Sequence, residues 1–130
     1  MSTEDDKKIS ILTSTKEALG MTESYTAFDP QIVMHINSAF ATLRQLGVGP
    51  ETAFSIKDKT ETWDQFIGLN TEIENVRSYV YVNVRLIFDP PQNSATLAAF
   101  QEMKKEHEFR LMVASEKGYY SGDPAERPLL

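Results

Sequence analysis

Phe88-Asp89-Pro90-Pro91 is the stretch of this 130-residue sequence that decides how the chain folds. Two consecutive prolines cannot continue an α-helix, and the first of them biases Asp89 away from helical dihedral angles. Asn93 and Ser94 follow, and the side-chain oxygen of either residue can cap the first turn of a new helix. The stretch therefore predicts a rigid corner between two helices, and it contains no reactive group.

The segment that precedes this corner is compatible with two secondary structures. Residues 79–86 alternate with the period of two that is typical of a strand, and valine and tyrosine favour a strand as well. Five apolar residues are also spaced to share one face of a helix: Ile73, Val76, Val80, Val84 and Ile87. Because a single strand would have no obvious partner elsewhere in the chain, we predict a helix over residues 71–88.

The most clearly bounded helix begins at Asp29-Pro30. Asp29 is predicted as its N-cap and Pro30 as its first helical residue, and Gly47 is expected to end it. Apolar residues recur between these limits at intervals of three and four: Ile32, Ile36, Phe40, Leu43 and Leu46. This spacing indicates one buried face.

Three weaker patterns complete the expected fold. Residues 6–19 and 94–117 are predicted as helices that end before Gly20 and Gly118, and residues 62–67 as one helical turn around Trp63. We therefore expect an all-α protein, a small bundle of four main helices with an irregular loop over about residues 47–62. The domain boundaries are set at 1–117 for the helical domain and 118–130 for an extended C-terminal tail.

Composition limits the classes of function. The chain has no cysteine, which excludes disulfides and thiolate metal sites, and residues 1–8 are polar and acidic, unlike a signal peptide. No apolar run is long enough for a membrane helix, so we expect a soluble protein without a membrane partner. The net charge of -6 argues against a dedicated nucleic-acid-binding surface, although it is compatible with DNA that slides past without sticking.

No set of catalytic residues is apparent. Gly47-Val48-Gly49 is followed by proline and lacks the third glycine of a dinucleotide-binding motif. His35 and His107 are the only histidines, and each lies on the apolar side of a predicted helix, which favours a core or interface position over a metal ligand.

The acidic residues of the last predicted helix have a plainer interpretation than acid–base catalysis. Glu102, Glu106 and Glu108 alternate with Lys104 and Lys105, as in a solvated helix face with ion pairs three and four residues apart. We expect no enzyme, no cofactor and no metal.

Two features suggest recognition. Trp63 is the only tryptophan, and a buried position that holds the loop is favoured over an exposed contact. Residues 118–130 contain two glycines and two prolines, which prevent a regular element, yet also two tyrosines and two leucines. A frayed terminus is the usual expectation for such a segment, but these apolar side chains suggest that a partner chain holds it.

Taken in order, several short motifs resemble the head–tail connector (adaptor, or head-completion) proteins of long-tailed bacteriophages, over about residues 9–115. The motifs are Leu46-Gly47-Val48-Gly49-Pro50, Phe54 and Ile56, Trp63, the run 79–88 closed by Asp89-Pro90-Pro91, and Glu108-Phe109-Arg110-Leu111.

This resemblance implies a structural virion protein, made in the bacterial host cytoplasm and located in the neck at the head–tail interface. It implies a homo-oligomeric ring beneath the portal protein, typically of twelve copies, which extends the DNA channel and receives a stopper or the tail. DNA would pass through without specific binding. The resemblance also implies that the tail grips the portal, through Tyr119, Tyr120, Pro124, Pro128, Leu129 and Leu130.

Two further contacts are expected from the same resemblance. The loop would contact neighbouring subunits or the stopper through Val48, Phe54 and Trp63. A closed ring needs two different, partly apolar lateral faces, and the candidates for these faces are Tyr79, Tyr81, Phe109 and Met112.

Two other hypotheses remain open at this point. One is a stand-alone helical protein-binding adaptor without ring assembly, which a monomer with a disordered tail would favour. The other is an enzyme of unrecognised type, which a pocket gathering Glu102, His107 and Arg110 would support.

Overall fold

The structure is a computed structural model that describes residues 9–67 and 73–116. Five helices lie within these ranges: α1 (Ile11–Ala18), α2 (Asp29–Gln45), α3 (Trp63–Ile67), α4 (Ile73–Phe88) and α5 (Ser94–Glu116). The described residues contain no β-strand, only an isolated antiparallel bridge between Ser10 and Thr62. The predicted all-α class with four main helices is confirmed, α3 being a single short turn of five residues.

Helix α4 lies at the centre of the bundle, between α2 and α5. Its buried residues run around more than one face of the helix: Ile73, Val76, Tyr79, Val80, Val82, Asn83 and Val84. Burial against two neighbours explains why this segment shows both helical and strand-like spacing, because residues on both sides of the helix must be apolar. The predicted helix over residues 71–88 is confirmed from residue 73, and residues 71 and 72 lie outside the described ranges.

The corner after α4 forms as the sequence predicts. The side-chain Oδ1 of Asn93 accepts hydrogen bonds from the backbone N–H of Ala95 at 2.8 Å and of Thr96 at 3.1 Å, and so caps α5. The side chain of Pro91 is buried at the bend. Helix α5 then runs back along α4, so that the two helices are antiparallel.

The starts of the first two helices differ from prediction. Helix α1 begins at Ile11, where the Ser10 hydroxyl accepts from the N–H of Thr13 at 3.1 Å; the predicted start at Asp6 lies outside the described residues. Asp29 is the first residue of α2 and not its N-cap, a position that Phe28 occupies without a side-chain hydrogen bond. The Asp29 carboxylate lies instead 2.9 Å from the Nζ of Lys16, so tertiary pairing replaces local capping.

One predicted helix end is confirmed by the structure, and another lies outside the described residues. Helix α2 ends before Gly47, which has a φ of +85°, a conformation that glycine adopts without strain. The helix end predicted before Gly118 falls outside the described residues, as does the last predicted helical residue, Lys117.

The irregular loop between α2 and α3 is held to the bundle in its interior and at its far end. The side-chain amide of Asn37 donates to the carbonyl of Ile56 at 3.0 Å and accepts from its N–H at 2.7 Å. The indole Nε1 of Trp63 donates to the Ser14 hydroxyl at 2.9 Å, so the far end of the loop is bonded to α1. The loop is irregular in dihedral angles but fixed in position.

The core under this loop is aromatic. The ring of Phe40 stacks on that of Phe66 with centroids 4.5 Å apart, and it meets Phe54 and Trp63 edge to face. Aromatic pairs of this kind add to the stabilisation that comes from apolar burial alone. None of the described helices is long and apolar enough to cross a membrane.

Candidate interaction surfaces

The outer side of α5 is the most exposed apolar feature of the described chain. Leu111 is the single buried residue of this 23-residue helix, so α5 packs on the bundle through a narrow stripe. Phe109 precedes Leu111 by two positions, which places it on the opposite side of the helix, and it is 64% exposed. Met112 and Val113 are half-buried beside it. We call this surface, Phe109 with Met112 and Val113, the α5 outer face.

The charged residues of α5 form surface ion pairs. Lys105 Nζ lies 3.8 Å from a carboxylate oxygen of Glu102, and Arg110 pairs with Glu106 one turn away. These pairs match the predicted solvated face for Glu102 and Glu106. Within the described ranges, no three histidine or acidic side chains are grouped in a way that could hold a metal ion.

Glu108 and His107 are half-buried against the bundle, unlike the exposed ion-paired residues of α5. Glu108 accepts a 2.8 Å hydrogen bond from the hydroxyl of Tyr79, and burial, followed by this bond, raises the pKa of that tyrosine well above its ordinary value. Burial also lowers the pKa of His107, and the charge of Arg110 lowers it further. The Nδ1 atom of His107 is buried and has no hydrogen-bond partner within the described residues. This surrounding favours a neutral imidazole and provides no acid–base partner.

A second apolar surface lies at the other end of the bundle. The rings of Tyr25 and Phe28 lie 5.8 Å apart, and Phe28 meets Phe88 edge to face at 5.3 Å. Met21 lines the same shallow hollow. Tyr25 is 50% exposed and Phe28 41% exposed. We call these four residues the aromatic corner.

Sequence reasoning missed the aromatic corner. Residues 21–28 lie between the first two predicted helices, and Phe88 lies sixty positions from Phe28, so no local pattern joins them. Two aromatic side chains within an otherwise polar loop were the available signal.

The residues predicted for the loop contact do not share one environment. Val48 and Trp63 are buried inside the subunit, Val48 with its N–H bonded to the carbonyl of Leu43 at 2.8 Å. Their expected role as external contacts is corrected, because their side chains are already covered; the favoured buried position of Trp63 agrees with the structure. Phe54 is half-buried and borders an open groove of about 600 Å³ between α2 and the loop.

The residues predicted for the lateral contact also differ in how far their side chains are buried. Tyr79 is fully buried between α4 and α5, so its side chain does not reach a neighbour, and its predicted lateral contact is corrected for that reason. Tyr81 is half-buried, with its ring 6.3 Å from that of Phe100. Phe109 and Met112 lie together on the α5 outer face. The six residues predicted to grip the portal, within 119–130, lie outside the described residues.

Comparison with known proteins relates the chain to one protein family. A family model described as phage connector protein matches residues 11–118, which is most of the chain and every described helix. No curated protein and no solved structure matches the chain.

Proposed function

This chain belongs to the phage connector protein family, and from that premise we propose that it is the subunit of an adaptor ring in the virion neck. The ring joins the capsid portal to the stopper or the tail and extends the DNA channel. The family itself assigns a structural connector role in the virion. To this role the proposal adds assembly into a ring and two partners, the portal and the stopper or tail.

The observation that carries the proposal is the α5 outer face. Phe109 is 64% exposed on a regular helix, and another chain that covers it would gain free energy by removing this apolar surface from water. The helix itself is a firm base for such a contact, because it is capped by Asn93 and bonded to α4 through Glu108. A ring subunit needs this kind of rigid lateral face and no catalytic group.

The remaining contacts are assigned as follows. Phe109 and Met112 on the α5 outer face, and Tyr81 at a separate position beside Phe100, contact neighbouring subunits in a ring of about twelve copies. Phe54, at the edge of the loop groove, contacts a neighbour or the stopper. The segment 118–130 binds the portal through its tyrosines, prolines and leucines: Tyr119, Tyr120, Pro124, Pro128, Leu129 and Leu130.

The charge of the chain fits a channel through which DNA moves. Nineteen acidic residues outnumber thirteen basic ones, and specific or tight binding to the phosphate backbone requires clustered lysine and arginine. Several basic side chains on the described surface are paired with acidic ones, as in Lys105–Glu102 and Arg85–Asp89. We therefore expect DNA to pass through the ring without being held by it.

Electron microscopy of the chain mixed with its cognate portal tests the proposal. The full chain is expected to form a ring on the portal, whereas a chain that ends at Gly118 is expected to fail because the portal contact is removed. A ring formed by both chains would move the portal contact onto the helical body. Binding to the portal as single copies would contradict ring assembly and favour a stand-alone adaptor, and no binding by either chain would contradict the connector role.

A further inference from the structure

The subunit carries two apolar surfaces that differ in shape and lie on different elements. The α5 outer face is convex and presents a single projecting ring, that of Phe109. The aromatic corner is a shallow hollow whose floor is formed by Met21 and Phe88 and whose rim is formed by Tyr25 and Phe28. A projecting aromatic side chain and an aromatic hollow are complementary in shape and in polarity.

Two unlike surfaces on one chain suit a heterologous contact. In a ring, each copy must present one face to the copy before it and a different face to the copy after it, whereas a two-fold dimer pairs a face with itself. We infer that the aromatic corner of each subunit binds the α5 outer face of the next subunit, with Phe109 entering the hollow between Tyr25 and Phe88. This inference rests on the proposed ring and names the second surface that such a ring requires.

The size of the two surfaces fits a contact that forms only during assembly. Taking about 200 Å² for a whole aromatic side chain, the exposed parts of Phe109, Tyr25 and Phe28 amount to roughly 300 Å². A stable pair of proteins buries about 1,600 Å² in total over both partners, so the aromatic contact alone is too small to hold a dimer in solution. A portal that gathers the copies raises their effective concentration, and closure gives each copy two such contacts.

The charges that border the two surfaces do not oppose this contact. Beside the corner, Arg85 lies 3.8 Å from Asp89, and on α5 Glu106 is paired with Arg110. Each surface is thus bordered by charges of both signs that are already paired within the subunit. Bringing two copies together there would keep each of these four charges beside its partner, whereas burying one of them unpaired would cost several kcal/mol.

Cross-linking through introduced cysteines tests the inference, because the natural chain has none. Ser24 is exposed next to Tyr25, and Lys105 is exposed one turn before Phe109, so replacing them leaves the aromatic residues in place. Full-length Ser24→Cys/Lys105→Cys protein is assembled on the cognate portal and treated with a short bismaleimide. We expect a series of covalent products from dimer up to the complete ring.

Three controls make the result specific. Ser38→Cys/Lys105→Cys places the first thiol at an exposed position of α2 away from the corner, and is expected to give no series of products. Lys105→Cys alone and Ser24→Cys alone are expected to give none either, because a heterologous contact brings unlike positions together. Dimers from Lys105→Cys alone would show that α5 pairs with α5 and would overturn the inference.

The remaining outcomes separate this inference from the proposed function. Rings that are visible by electron microscopy but give no products with Ser24→Cys/Lys105→Cys would overturn the corner contact and leave the ring standing. Products from the Ser38→Cys pair at the same yield would also overturn it. The absence of any ring on the portal would overturn the proposed function, and the inference would fall with it.

Discussion

The phenolic hydroxyl of Tyr79 donates a 2.8 Å hydrogen bond to the carboxylate of Glu108 and so joins the central helix α4 to α5. The tyrosine side chain is fully buried, whereas Glu108 is half-exposed. Leu111 is the single buried residue of α5, so this bond and the 2.7 Å bond from the Ser115 hydroxyl to the carbonyl of Leu46 help to fix the position of the helix that carries Phe109.

Tyr79→Phe is expected to lower the free energy of unfolding by about 1.5–3 kcal/mol, the usual range for a hydrogen bond to a charged partner. Urea unfolding at neutral pH measures this change. Tyr81→Phe is the matched control, since the Tyr81 hydroxyl only accepts a longer bond of 3.2 Å from Arg85 on the surface. An equal loss in both variants would show that the Glu108 bond has no special weight.

Burial of Tyr79, together with its bond to Glu108, makes the stability of the protein depend on pH in the alkaline range. Because the pKa of Tyr79 is raised in the folded protein, the folded chain keeps its phenolic proton while the unfolded chain releases it near pH 10. The stabilisation is therefore complete below pH 10 and is lost as the pH rises above it. The difference in unfolding free energy between the natural chain and Tyr79→Phe should narrow from pH 9 to pH 11, and a constant difference would contradict the assignment.

Gly49→Ala is expected to destabilise the protein more than Gly20→Ala. Both glycines have positive φ, +96° and +84°, so alanine is strained at each by about 1–2 kcal/mol. A Cβ at Gly49 would also lie 2.6 Å from the Phe66 ring, whereas a Cβ at Gly20 meets nothing within 4 Å. Overpacking of this kind adds about 1–3 kcal/mol, which thermal or urea unfolding of the two variants would resolve. Equal losses would mean that the loop moves away from Phe66 freely.

The buried pair of Lys16 and Asp29 is expected to be strongly coupled. Lys16 is 1% exposed, and its Nζ lies 2.9 Å from the Asp29 carboxylate and 3.0 Å from the carbonyl of Glu23. Removing one partner of such a pair costs up to about 3 kcal/mol, and somewhat less where one partner reaches water, as Asp29 does. Lys16→Met/Asp29→Asn should therefore lose less than the two single variants combined. A double-mutant cycle of unfolding free energies measures the coupling, and simple additivity would contradict it.

His107 is expected to make the protein sensitive to mild acid. Its pKa is lowered by burial and by Arg110, so below pH 6.5 the unfolded chain binds a proton that the folded chain does not. Stability that is present above pH 6.5 is therefore lost progressively as the pH falls below it. His107→Gln should reduce this loss in urea unfolding at pH 7.5 and pH 5.5, and His35→Gln shows whether the effect is specific to position 107. An unchanged pH dependence in His107→Gln would count against it.

Local chemistry explains what could be predicted from the sequence. The corner at Pro90-Pro91, the cap at Asn93 and the end of α2 at Gly47 each depend on a few adjacent residues, and all three are confirmed. The apolar spacing identified α2, whereas the spacing in α4 also fitted a strand, and the helix was predicted there because a single strand would have no partner.

Contacts between distant residues explain what could not be predicted. Asn37 meets Ile56, Lys16 meets Asp29, and Phe28 meets Phe88 only after the helices have packed. External contacts were predicted for Tyr79, Val48 and Trp63 from residue type and resemblance, which do not say whether the fold buries these side chains. A half-apolar helix such as α4 can bury a tyrosine side chain as readily as expose it to solvent.

The antiparallel packing of α4 and α5 places the two apolar surfaces at different heights. Phe88 ends α4, and Phe109 lies level with Tyr79, nine residues earlier, which corresponds to about 14 Å along the bundle. If the helices of each copy were parallel to the ring axis, copies bound through these surfaces would each be shifted along that axis by this distance. Such copies would form an open spiral. A flat, closed ring instead requires the helices of every subunit to be tilted away from the symmetry axis. The inclination of the helices around the DNA would then follow from where one corner and one phenylalanine lie in a single subunit.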